Sequence, residues 1–280
     1  MSTRQFFSSG DIPLQVLKFL TVTDMSTRQF FSSGDSKAWS KCHSLYSKVL
    51  KLKVDKSQKK ADLIKLDKWF QEELPQALSE RTDKHITHEE LAKLMRWKLM
   101  RGKFRPRLQQ LVESNKPEVV EETSRKAFNK LPNISSAINE LSKLKAVGPA
   151  TATAILAAAA PELVPFMADE SMLSIPGLGP VQYTLPYFLK YLDHIKKCCK
   201  RLNKQDPEGQ WTPHKVEVTL WAHAVATNLD PTMLDSTAAA KDNAEPKTKK
   251  RKSSGEGEHV VKRAKTGQGE ENTNGESAYF

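Results

Sequence analysis

Apolar positions recur at three- and four-residue intervals along most of this chain, the spacing of helices that bury one face. Between Trp39 and Leu52 the stripe is carried by Leu45, Tyr46, Val49, Leu50 and Leu52. Leu63, Leu66, Trp69, Phe70 and Leu74 extend the pattern until Pro75 weakens it. Thr87 and Glu90 have the spacing of a capping box, which predicts a helix whose buried face is Leu91, Leu94, Met95 and Leu99 and which Gly102 or Pro106 ends or bends. Leu108, Leu111 and Val112 begin another segment, followed by Val119 to Phe128, and Ser135 to Leu144 places Ile138, Leu141 and Leu144 on one face. A Val147-Gly148-Pro149 turn leads into Thr151 to Ala159, a run of strong helix formers whose small side chains let another helix approach closely. Tyr183 to Leu202 reads as helical apart from Pro186. Thr212 with Pro213 reads as an N-cap and first-turn proline for a helix reaching about Asn228. No stretch alternates long enough to demand a sheet. The class is all-α, one helical domain over about 36–235.

The ends read differently. Met1 to Asp11 is MSTRQFFSSGD, and the same letters return at Met25 to Asp35. One repetition does not build a solenoid, which needs at least three stacked units. Residues 1–35 are therefore expected to be loosely ordered, the duplication having no structural role. From Ser236 to Phe280 aliphatic side chains nearly vanish, so this tail is expected to be disordered.

Composition narrows the classes. Three cysteines in 280 residues (Cys42, Cys198, Cys199) exclude a disulfide framework and a Cys-rich zinc site. His85, His88, His194, His214 and His223 form no dense ligand motif, so no metal is expected. The longest apolar run, Ala146 to Ala160, is interrupted by Gly148 and Pro149 and is too short for a bilayer, so no membrane partner is expected. No charged-then-apolar leader opens the chain, which makes a reducing compartment the default.

The formal charge of +11 is clustered. Lys37 to Lys68 holds ten lysines against three acidic residues, and Lys93 to Arg107 holds seven basic residues with no acidic one. Such clusters are either solvated helix faces or, where they meet, a phosphate-binding surface. Arg101, Lys103, Arg105 and Arg107, close to Gly102 and Pro106, suit bidentate phosphate contacts. The turn before Thr151 would leave the backbone amides of Val147, Gly148, Ala150 and Thr151 open to a phosphate, with Gly148 supplying the tight bend. A plain helix connection is the competing reading, and the two stay open at this point.

Leu144-Lys145-Ala146-Val147-Gly148-Pro149-Ala150-Thr151-Ala152 resembles the Leu-Pro-Gly-Val-Gly-x-x-Thr-Ala signature of the helix-hairpin-helix DNA glycosylase superfamily, as a divergent member. The resemblance implies two helical lobes with duplex DNA and a flipped base between them, and a hairpin over 141–156. It implies a catalytic aspartate about twenty residues after the hairpin. Asp169 stands at nearly that interval, one residue late, with Glu170 the alternative. Such a carboxylate would stabilise positive charge developing on the deoxyribose and orient water. Asp169 could instead cap the helix before Ser171-Met172-Leu173. A base pocket would draw on Trp97, Phe104, Phe166, Tyr183 or Trp221, although each is more commonly a core residue. Ser174 to Pro180 resembles a second Pro-Gly-x-Gly hairpin, with a rigid loop as the simpler reading. The chain departs from the pattern at Ala146 and Lys145, which stand where glycine and proline are usual. Ala150 lacks the amine of bifunctional relatives, so lyase chemistry is not expected. With no four-cysteine cluster, no iron–sulfur cofactor is implied either.

In the tail, Lys249, Lys250, Arg251 and Lys252, followed by Lys262 and Arg263, resemble a bipartite nuclear localisation signal. The expectation is a nuclear protein that binds duplex DNA and is carried by an import receptor. It either excises a damaged base as a monofunctional glycosylase or keeps the fold as a non-catalytic scaffold.

Overall fold

Side-chain caps from Asp35, Thr87, Asn133, Thr184 and Thr212 start five of the helices. The computed structural model describes residues 25–57 and 62–235, which belong to one compact unit and are helical without a strand. The first repeat copy, the tail and its two basic clusters lie outside the described residues. Helix α1 covers 25–33, α2 Ser36–Ser44 and α3 Tyr46–Asp55. The second repeat copy is thus ordered, contrary to expectation. Gly34 turns the chain at φ +64°, and Asp35 caps α2 by accepting from the amides of Lys37 (3.0 Å) and Ala38 (3.3 Å). The two phenylalanines of this copy supply the reason: Phe30 stacks between Trp39 and His223, and Phe31 is buried.

Pro75 does not end its helix. Helix α4 (Leu63–Lys68) runs through a π turn (Trp69–Glu73) into α5 (Leu74–Glu80), and the Leu74 amide reaches back to the Trp69 carbonyl. The widened turn accommodates a residue that has no N–H to donate and would crowd the preceding carbonyls. The capping box forms as read: Thr87 accepts from the Glu90 amide and Glu90 from the Thr87 amide, opening α6 (His88–Arg101), which Gly102 ends. Then follow α7 (Pro106–Glu113), α8 (Pro117–Phe128), α9 (Ile134–Leu141), α10 (Pro149–Ala159) and α11 (Asp169–Leu173). Pro186 falls in the first turn of α12 (Leu185–Gln205), behind the Thr184 cap, where a missing N–H costs nothing. Thr212 caps α13 (Pro213–Leu229), and α14 (Thr232–Asp235) closes the described chain.

Two helices are apolar on nearly all sides and are therefore surrounded. Helix α10 packs against α5, α6 and α9, while α13 packs against α2, α3, α11 and α12. The end of α6 meets both groupings, because Arg101 on its last turn bonds Glu217 of α13.

Candidate nucleic-acid interface

The turn between α9 and α10 is built from below. Leu144 and Val147 are buried, and Asn115, just past α7, brackets the backbone from the side. Its Oδ1 accepts from the Lys145 amide at 2.9 Å and its Nδ2 donates to the Lys145 carbonyl at 3.1 Å. Nothing in the sequence pattern marked this asparagine. The bend itself falls two places earlier than the glycine suggested: Ala146 takes the left-handed conformation at φ +62°, whereas Gly148 is extended (φ −89°, ψ −176°). Gly148 is exposed, and a Cβ added there would meet no atom within 4 Å.

Only two of the four expected amide donors are free. The Val147 amide donates to the Leu144 carbonyl and the Thr151 amide to the Gly148 carbonyl, and both residues are buried. Among the described residues nothing accepts from the amides of Gly148 and Ala150. Both belong to the start of α10, where the helix dipole favours an anion.

This turn forms one wall of a cleft of about 510 Å³, within the range of small-ligand pockets. The opposite walls carry Lys98, Lys103 and Arg105 from the end of α6 and the loop after it, and Asp169, Glu170 and Tyr183. Phe166 and Trp221 line the cleft between them. Asp169 is the first residue of α11, whose N-cap is Ala168, so its carboxylate does not cap the helix. Instead it accepts from the Tyr183 hydroxyl at 2.6 Å and from the Lys103 ammonium at 3.1 Å. The segment before it is fixed in place. The Met167 amide donates to Thr153 of α10, and the Tyr191 hydroxyl donates to the Phe166 carbonyl and bonds Ser171. Burial, reinforced by the Asp169 bond and charge, raises the Tyr183 phenol to about 12, so it remains a donor to this carboxylate through neutral pH. Glu170 also lines the cleft, but it pairs with Lys53 at 3.2 Å.

Lys98, a member of the basic run that was not singled out as a phosphate contact, is the lysine most altered in the cleft. Burial, with the Arg105 charge adding to it and Asp169 opposing it, lowers its amine to about 8. No carboxylate among the described residues pairs with it.

The basic run divides. Lys103 and Arg105 are exposed on the cleft, the Arg105 guanidinium lying 5.5 Å from the Tyr183 ring, whereas Arg107 is exposed on α7 outside the lining. Arg101 is not a surface cation at all. It is 1% exposed, donates to Glu217 at 2.9 Å and sits 4.6 Å from the Trp221 ring and 5.6 Å from Phe166. Burial is the largest influence and works against its charge, but Glu217, Tyr46 and Asp67 together outweigh it and keep the guanidinium protonated. Of the aromatic candidates, Trp97 is a core residue stacked on Phe70, Phe166 and Trp221 serve both core and cleft, and Phe104 is 74% exposed between Lys103 and Arg105. The Ser174 to Pro180 turn, with Gly177 and Gly179 at positive φ, does not line the cleft.

Among the described residues no group of three or more His, Cys, Asp or Glu is placed to hold a metal, and no helix is long and apolar enough to cross a membrane. Comparison with protein-family profiles, curated proteins and solved structures finds no match to this chain.

Proposed function

We propose that the cleft is a duplex-DNA site that receives a flipped base and cleaves its N-glycosidic bond, in a nuclear protein whose tail engages an import receptor. The observation that carries the reading is the convergence, on one cleft, of two free amides at Gly148 and Ala150, the cations Lys103 and Arg105, aromatic walls and the Asp169 carboxylate. On this reading α9, the turn and α10 form the helix-hairpin-helix, and the groupings around α10 and α13 are the two lobes. The amides and the rim cations hold the phosphates of one strand. Phe104, exposed on the rim, enters the stack where the base has left. Lys103 moves from Asp169 to a phosphate, and the carboxylate, still oriented by Tyr183, stabilises the developing sugar cation and positions water.

The test is a panel of duplexes carrying different damaged bases, scored for free-base release by the wild type and by Asp169→Asn. Release that disappears in the variant supports catalysis. Duplex binding with no release from any substrate supports instead the non-catalytic scaffold, a reading that the engagement of both Asp169 oxygens by Tyr183 and Lys103 favours. Gly148→Trp, whose Cβ enters open space, is expected to weaken binding and to reduce the slope of log K against log salt by about one. Unchanged binding by that variant would remove the hairpin from the interface.

A further inference from the structure

Helix α1 is held by Trp39, His223 and Arg201, and the letters that make those contacts occur twice in the chain. Phe30 lies flat between the Trp39 indole, at 4.7 Å between centroids, and the His223 imidazole, at 4.1 Å. Phe31 is buried, its ring 5.6 Å from the Arg201 guanidinium, and its carbonyl accepts from Arg201 Nη2 at 2.5 Å. The Arg28 guanidinium donates to the Leu173 carbonyl. Gly34 answers a steric demand, since its φ is +64° and a Cβ there would stand 3.0 Å from Arg201 Nε. The groove therefore reads an arginine, two adjacent aromatic rings and a glycine at fixed spacing.

Every one of those features recurs 24 residues earlier in the sequence, as Arg4, Phe6, Phe7 and Gly10. We propose that Met1–Asp11 is a second ligand of this groove and takes the seat in place of residues 25–34 of the same chain, looping out the 24 residues between Gly10 and Asp35. Three features favour the same chain as the source. The two copies are identical over all 11 residues, so no contact made by one is unavailable to the other. The connecting segment rejoins the fold at Asp35, beside the seat, and the entropic cost of closing such a loop rises only slowly with its length. A segment tethered to its own groove also competes at an effective concentration that a free chain does not reach. The directly attached copy holds the seat at rest, and the first copy is the built-in competitor. An exchange releases residues 25–34, with their exposed Phe-Phe pair, for another contact.

The experiment uses the full chain and three variants: Phe6→Ala/Phe7→Ala, Phe30→Ala/Phe31→Ala, and all four together. If the first copy takes the seat, Phe30→Ala/Phe31→Ala melts close to wild type, as does Phe6→Ala/Phe7→Ala. The fourfold variant then falls by roughly 10 °C or more, or fails to fold. Equal losses in Phe30→Ala/Phe31→Ala and the fourfold variant, whether partial or complete, would overturn the proposal, as would no loss in any variant. Light scattering at several concentrations closes the test. A rescue that strengthens with protein concentration, with dimers present, assigns the seat to a neighbouring chain and overturns the intramolecular exchange.

Discussion

Arg101 and Arg105 lie four residues apart in one basic run, and the structure gives them opposite consequences. Changing Arg101 to Met leaves the Glu217 carboxylate, which is 0% exposed, without its ion-pair partner at 2.9 Å. Breaking a buried pair from one side typically costs about 3–5 kcal/mol because the remaining charge cannot be solvated. A domain of this kind holds about 5–15 kcal/mol in all, so the variant should lose a large share of its stability in denaturant unfolding. Contacts with Trp97, Phe166 and Trp221 are lost as well, but they share the same guanidinium and do not add independently. Arg101→Met/Glu217→Met removes the stranded charge and is expected to recover most of the loss. Burial already raises Glu217 from 4.5 to about 7, with Arg101 opposing that rise. Without Arg101 its folded pKa lies still further above the unfolded value, so the folded state binds the extra proton. The Glu217 contribution to the single variant, read as the difference from wild type at each pH, should therefore be fully present below about pH 4.5 and be lost as pH rises through neutrality. Arg105→Ala is the control: stability within about 0.5 kcal/mol of wild type, with weaker duplex binding and a smaller salt slope. A loss below about 1 kcal/mol for Arg101→Met, or a double variant no more stable than the single one, would refute the buried-pair argument.

Ala146→Gly removes the cost of a left-handed alanine, about 1–2 kcal/mol, partly offset by the freedom glycine regains on unfolding. A net gain of about 0.5–1 kcal/mol is expected, and a loss in thermal unfolding would contradict the turn geometry. Lys98 should be the most reactive amine of the fold: at pH 8 about half of it is neutral, against roughly 0.4% for an ordinary lysine. Competitive acetylation read by mass spectrometry should show a midpoint near pH 8, shifted lower in Asp169→Asn; titration alongside the surface lysines would refute this. His214 and His223 are lowered by burial from 6.5 to about 3 and about 4, so the unfolded chain binds more protons as the pH falls below 6.5. Each contributes stability that is present above pH 6.5 and shrinks as pH drops, by about 2 kcal/mol at pH 5. His223→Gln should flatten that dependence in unfolding curves at pH 7 and pH 5, and an unchanged slope would exclude His223 as a source.

The helices were legible where the deciding chemistry is local. The Thr87–Glu90 box, Gly102 and the Thr212-Pro213 start each act within one turn, so the letters suffice. Residues that answer to distant partners were not. Arg101 reads as a cation among cations until its register is counted: Leu94, Trp97 and Arg101 are spaced by three and four, which puts the arginine on the apolar stripe. That spacing was an available signal. The second repeat copy carries the same letters as the first, and it folds because Trp39, Arg201 and His223 surround it, none of which is nearby enough in its own pattern to announce a groove. At the cleft, Asp169, Lys103, Arg105, Gly148 and Ala150 were legible. Asn115 and Lys98 were not, since one acts through backbone contacts across 30 residues and the other through its burial.

Asn115 has a mechanical consequence. It lies two residues past the end of α7, which begins just past Arg105, and it clasps the backbone of Lys145 at both its N–H and its C=O. The basic rim and the hairpin bend are thereby coupled through one short rigid helix. A displacement of α7 would therefore be passed to the bend and the rim at once, and these are two walls of the same cleft.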